Sequence, residues 1–177
     1  MTVTVSITES ALFTAVGTVL GQMLPTGVAL IQGQQNRASL PTGPFAVMTP
    51  MLRERLATNL DTYTNGNPGT RSSTQATKIT VQVDIYGTAA GDNAQIVSTL
   101  WRDAFACDAF NAINTSVQPL YASEPRQMQF VNDQSQYENR WSVDVMLQAN
   151  IAVVVPQQSA IALVVDLINV DATYPTH

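Results

Sequence analysis

The chain has 177 residues, a net charge of −5, 45% hydrophobic residues and only 12% charged ones, about half the usual share. That length suits one domain with a real core. Seven scattered arginines and a single lysine, Lys78, form no basic stripe, which argues against a grip on nucleic acid phosphates or anionic lipid.

The polar surface is mostly Gln, Asn, Ser and Thr, a surface that suits burial against other subunits or simply a compositional habit. Apolar runs such as Ile151 to Val155 are far too short to span a bilayer, so no membrane partner is expected. The first residues lack the basic and apolar regions of a secretory signal. One cysteine, Cys107, cannot form an internal disulfide.

Taken in order, Ser6-Ile-Thr-Glu9 has the form of a capping box. Leu12, Val16, Val19, Leu20 and Met23 follow at helical spacing, so a first helix is expected over about 7–23, ended by Pro25. Val28 to Gln32 and Phe45 to Thr49 are short apolar strand candidates, and Pro50 points to an edge position or a bend. Leu52 to Asp61 reads as a marginal strand, with a helical turn as the alternative. Residues 62–76 carry Asn65-Gly66 and Pro68-Gly69, strong turn signals, and read as a long hairpin loop.

The clearest element is Lys78 to Gly87. Ile79, Val81, Val83 and Ile85 alternate with Lys78, Thr80, Gln82 and Asp84, the period of a half-buried strand. After a glycine-bounded turn the spacing becomes helical, and a helix of matching length is expected from Asn93 to about Asn111, with Asp92 as cap and a break near Asp108. Cys107 is expected among its small core residues. Val117 to Tyr121 is interrupted by Pro119. Arg126 to Val131 and Arg140 to Gln148 alternate on either side of a polar turn, a second hairpin with Trp141, Val143, Val145 and Leu147 inward. Strand propensity persists to Val155, and Ile161 to Val170 is a last strand candidate. These elements sum to one α+β domain over 1–177, with a mainly antiparallel sheet and two main helices packed on it.

Catalytic signals are weak. The sole histidine, His177, is the last residue given, and no His/Cys cluster could hold zinc. Gly87-Thr-Ala-Ala-Gly91 lacks the spacing of a phosphate loop and reads as a tight strand-to-helix turn. Asp84 and Asp144 could sit together as in a glycosidase pair, but no sugar platform accompanies them. Solvation, or pairing with Arg102, Arg140 or another subunit, is the favoured reading. No catalytic, cofactor-binding or metal residue is therefore expected. Arg53, Arg55, Arg71 and Arg140 are candidates for salt bridges between subunits, because arginine suits interfaces, with a solvated face as the alternative.

Several stretches in order carry a resemblance. They are Pro44-Phe-Ala-Val-Met-Thr49 with Arg53-Glu-Arg55, Asn59-Leu-Asp61, Gln82 to Gly87 leading into Asp92-Asn-Ala94, and Tyr137-Glu-Asn-Arg140-Trp-Ser-Val-Asp144. Together, over about 28–155, they resemble the neck or tail terminator proteins of tailed bacteriophages. The resemblance implies a virion structural protein, assembled in the host cytoplasm as a hexameric ring. The ring caps the tail tube and joins it to the neck or head connector, the tail sheath is a further candidate partner, and the genome crosses the lumen without sequence-specific binding. Arg53, Arg55, Asp61, Tyr63, Asn65, Arg71, Lys78, Asp84, Arg140 and Asp144 are the candidate contacts within and between such rings. Other readings are a tail tube or head-completion subunit, a soluble binding module, and a carboxylate-based hydrolase.

Overall fold

A computed structural model describes residues 2–35, 39–113, 116–131 and 137–158. In chain order the elements are β1 (Thr4–Val5), α1 (Glu9–Met23), β2 (Ala29–Gln32), β3 (Phe45–Arg55), β4 (Leu60–Thr64), β5 (Gly69–Tyr86), α2 (Ala90–Trp101), α3 (Ala104–Ile113), β6 (Val117–Ala122), β7 (Arg126–Val131) and β8 (Tyr137–Gln157). The architecture is α+β, with a mainly antiparallel mixed sheet and helices packed on one face.

The sheet is built on β5 and β8. They pair antiparallel without a break from Gly69 opposite Gln157 to Tyr86 opposite Arg140. Ile79, Val81, Val83 and Ile85 of β5 meet Leu147, Val145, Val143 and Trp141 of β8, and all but Trp141 are fully buried under the helices. Burying each such side chain stabilises the fold by about 1.5–3 kcal/mol. β3 lies along the other edge of β5, and β6 and β7 lie along β8. β2 runs parallel to β3, an arrangement that needs about a dozen residues to bring the chain back, and 33–44 supply that length.

At about 3.3 Å per residue β5 spans roughly 60 Å. Only its second half lies beneath the helices. The first half, with β4, the end of β8 and β1, forms an arm that no helix among the described residues covers. The expected length match between strand and helix does not hold, because the strand already begins at Gly69 and the helix breaks after Trp101, at about 18 Å. The expected long loop over 62–76 is instead two paired arms: Leu60 faces Thr74 and Thr64 faces Thr70, which leaves a turn at 65–68 with a cis Asn67–Pro68 peptide. β4 was hard to read because all five of its residues are exposed, so it carries no alternation.

The described residues contain three helices, because the second expected helix is broken into two. α1 starts at Glu9, and its cap is Thr8, whose hydroxyl accepts from the Ala11 N–H at 3.2 Å. Ser6, the expected cap, bonds to β8: its N–H donates to the Ala152 carbonyl and its hydroxyl accepts from the Ala152 N–H, both at 2.9 Å. The second helical stretch begins at Ala90 with no side-chain cap, so Asp92 lies within its first turn. It breaks at Arg102–Asp103 rather than near Asp108. Asp103 caps α3, accepting from the Phe105 N–H at 3.0 Å. Restarting there rotates the buried face onto Ala106, Ala109 and Phe110 and leaves Cys107 exposed, contrary to expectation. The Ile161 to Val170 strand candidate and His177 fall outside the described residues.

The turn between β5 and α2 depends on Gly87. Its φ of 119° is closed to L side chains, and a Cβ there would sit 3.1 Å from Cβ of Pro44. Its N–H donates to the Asn139 carbonyl, and its carbonyl accepts from Ala90, so the glycine joins β5, α2 and β8. Gly87→Ala is expected to cost on the order of 1–3 kcal/mol of stability by denaturant unfolding; an unchanged midpoint would contradict this account.

Candidate subunit interface

The ten candidate contact residues fall into three groups. The first lies on the helix side of the arm. β3 slips register between Pro50 and Leu52. Before the bulge, Ala46, Met48 and Pro50 oppose the core residues Ile85, Val83 and Val81. After it, Arg53 opposes Ile79 and Arg55 opposes Thr77. One inserted residue thus turns both arginines onto the face that also carries Arg71 of β5. The expected bend at Pro50 is this bulge, just beyond the last residue that β2 covers.

Arg53, Arg55 and Arg71 line an open groove of about 590 Å³ with Asn59, Ser73, Gln75 and Thr77, over an apolar floor of Val5, Ile151, Val153 and Val155. No aspartate or glutamate is among its lining residues. Arg53 reaches only an exposed Glu9, at 3.5 Å. Arg55 donates from Nε to the Ala57 carbonyl at 2.9 Å. The Nε of Arg71 is buried with no hydrogen-bond partner.

The second group is the β4 hairpin. Asp61 faces Ser73 and Tyr63 faces Arg71 across the ladder, while Asn65 sits in the turn. Tyr63 is 62% exposed and Leu60 65%. With Met51, Leu52 and Leu56, which are also exposed, they give the β3–β4 margin an apolar edge. Sheet edges of this kind invite pairing with another chain.

The third group is held within the subunit. Lys78 bridges Glu54, and that hydrogen bond holds its ammonium above the ordinary lysine range. Asp84, only 6% exposed, accepts from Arg140 at 2.8 Å and from Gln82 at 3.0 Å, and Gln82 also reaches the fully buried Ser142. Arg140 also lies 5.7 Å from the centroid of the Tyr86 ring, which stacks on Phe45 at 4.5 Å. Burial raises Tyr86 above its usual range. For Arg140 burial acts downward, but the hydrogen bond and charge of Asp84 outweigh it and the net shift is upward. Asp144 holds Arg126 at 2.7 Å.

The Asp84–Arg140 pairing is among those expected. Arg126 was not singled out, because only the β7–β8 register, which puts it opposite Ser142, brings it to Asp144. The two aspartates are diagonal neighbours on one sheet face, since Asp84 opposes Ser142 and Gln82 opposes Asp144. Asp144 borders an open hollow with Met51, Leu52 and Arg126, and Asp84 is not among its lining residues. Each carboxylate is committed to a guanidinium. Among the described residues no His/Cys/Asp/Glu group could hold a metal, and no helix is long and apolar enough to cross a membrane.

Residues 10–176 match the family described as phage neck terminator protein. The chain belongs to the phage neck terminator family. The match takes in α1 and the residues after Pro156, both outside the 28–155 stretch that carried the resemblance. No curated protein matches the chain. Membership makes this a bacteriophage structural protein of the virion neck, a participant in tail assembly that meets other tail and neck proteins. Among the described residues two of the arm's arginines, Arg55 and Arg71, pair with no carboxylate, Arg53 reaches only Glu9 at 3.5 Å, and the β4 edge is exposed.

Proposed function

We propose that this neck terminator closes into a hexameric ring that ends the tail tube and joins it to the neck or head connector. Family membership over nearly the whole chain carries the reading. A ring of head-to-tail contacts closes only when the rotation per subunit is right. The arm supplies the material for such contacts: Arg53, Arg55 and Arg71 in the groove, and Asp61, Tyr63 and Asn65 on the hairpin beside it. Lys78, Asp84, Arg140 and Asp144 support the ring from within, since each already has a partner in its own subunit. The tip of the arm, within 62–76, reaches an adjoining ring or the lumen. The tail sheath is a further neighbour where one exists, and assembly takes place in the host cytoplasm. A net charge of −5 lets the genome pass without being held, by like-charge repulsion.

Light scattering and negative-stain imaging of the purified chain test this. A closed ring of six that binds the ends of tail tubes is the expected result. A monomer that ignores tail tubes would point to a soluble binding module, and unlimited growth into tubes would point to a tube subunit. A ring lumen dominated by arginine would overturn the account of genome passage.

A further inference from the structure

The described cations divide sharply. Arg102, Arg126, Arg140 and Lys78 each hold a carboxylate of their own chain, Glu124, Asp144, Asp84 and Glu54, at distances no longer than 2.9 Å. Arg53 reaches only the exposed Glu9, at the longer distance of 3.5 Å, and Arg55 and Arg71 pair with no carboxylate among the described residues; all three line the groove on the arm. In a chain with thirteen acidic residues and eight basic ones, three guanidiniums that share one exposed carboxylate, Glu9, among the described residues are a recognition surface for anions. Its floor is apolar, so the fitting partner carries carboxylates together with exposed apolar side chains.

The exposed side of α3 has that composition. Asp103 and Asp108 are exposed, Phe105 and Ile113 are 39% and 40% exposed, and the stretch from Asp103 to Gln118 contains no basic residue. Among the described residues no cation lies in ion-pair reach of Asp108 or Asp103. The helix contributes nothing to the lining of its own subunit's groove. The two surfaces are therefore distinct and complementary, the requirement for a head-to-tail contact between copies. A phosphate backbone fits less well, because the apolar floor offers it nothing and the net charge of the chain opposes its approach.

We propose that the arginine groove of one copy receives the α3 face of the next, seating the Asp108 and Asp103 carboxylates on Arg53, Arg55 and Arg71. The contact rests on the ring reading and defines the interface within it. Guanidinium–carboxylate pairs fix the register, and the valine and isoleucine floor takes up Phe105 and Ile113.

Charge reversal on the full chain tests the contact. Arg55→Glu with Arg71→Glu reverses the groove, and Asp108→Arg reverses the helix face. Asp103 is left intact because it caps α3. Each variant alone, shown to be folded by circular dichroism, is expected to need at least about tenfold more protein to assemble, because like charges then face each other. Mixed in equal amounts, the two variants are expected to form rings again, since each groove then meets a face of opposite charge. In wild type, maleimide labelling of the exposed Cys107 is expected to slow on assembly, because Cys107 lies beside Asp108.

If wild type itself stays monomeric, the ring reading fails along with this contact. If wild type forms rings and both folded variants do too, the contact is wrong and the ring reading stands. Failure of the mixture to recover, or equal labelling of ring and monomer, would also overturn the contact. So would a groove variant that still assembles but loses retention of a short DNA duplex that wild type binds; that outcome would reassign the groove to phosphate.

Discussion

Trp101→Ala is expected to lower folding stability by about 3–5 kcal/mol, the range for emptying a large buried aromatic site. Trp101 is 1% exposed, and its ring meets Phe110 edge-on with centroids 5.5 Å apart, tying α2 to α3 across the break at Arg102. Its indole N–H donates to the Met146 carbonyl at 3.0 Å, where β6 slips register against β8 between Pro119 and Tyr121. Truncation therefore opens a cavity between two helices and leaves a part-buried carbonyl without this donor. For a chain of this size the loss corresponds to a fall in Tm on the order of 10 °C. Trp101→Phe keeps most of the volume and removes only the donor, so about 1–3 kcal/mol is expected. Urea unfolding of both variants separates the two contributions. Equal losses would mean that the hydrogen bond dominates, and losses below about 1 kcal/mol in both would refute the packing account.

Asp84→Ala is expected to cost about 3 kcal/mol, because it strands the Arg140 guanidinium in the sheet. The side chains of Arg140 and Asp84 are only 22% and 9% exposed, and Nε of Arg140 already lacks a partner. Replacing both members, Asp84→Leu with Arg140→Met, removes the buried charges together and is expected to recover most of the loss. The exposed pair Arg126–Asp144 is a natural control. The Arg126 side chain is 54% exposed, so Arg126→Met is expected to cost at most about 1 kcal/mol. Denaturant midpoints of the four proteins check the series. A double variant no better than Asp84→Ala would mean that the network acts through shape rather than charge.

Strands with one buried face were legible in the sequence. Ile79 to Ile85 and Val143 to Leu147 alternate because one side of the sheet meets helices and the other does not. α1 was legible for the same reason at a different period. What escaped depends on residues far away in the chain. Ser6 looks like a cap until Ala152 takes its hydroxyl, and Asp103 looks like mid-helix until its carboxylate closes on Phe105. β4 has no buried face, so no periodicity marks it. The groove is the clearest case. Arg53, Arg55 and Arg71 were each picked out as interface candidates, but their convergence depends on the bulge after Pro50 and on the β3–β5 register, neither of which leaves a local trace. Family membership was legible because the motifs that carry it are short, local and in order.

The long ladder of β8 also sets the order in which the molecule can be made. β1, β5, β6 and β7 all pair with β8, which is the last described strand, and Thr4 finds its partner only at Val154. During synthesis at roughly 5–20 residues per second, the stretch from Tyr86 to Gln157 takes about 4–14 s to appear. For that interval the inner edge of β5, with four core residues on one side, has no strand beside it. A nascent chain with so little charge has few defences against pairing with its neighbours on the same message. That edge stays open until residues 137–157 arrive and close the sheet.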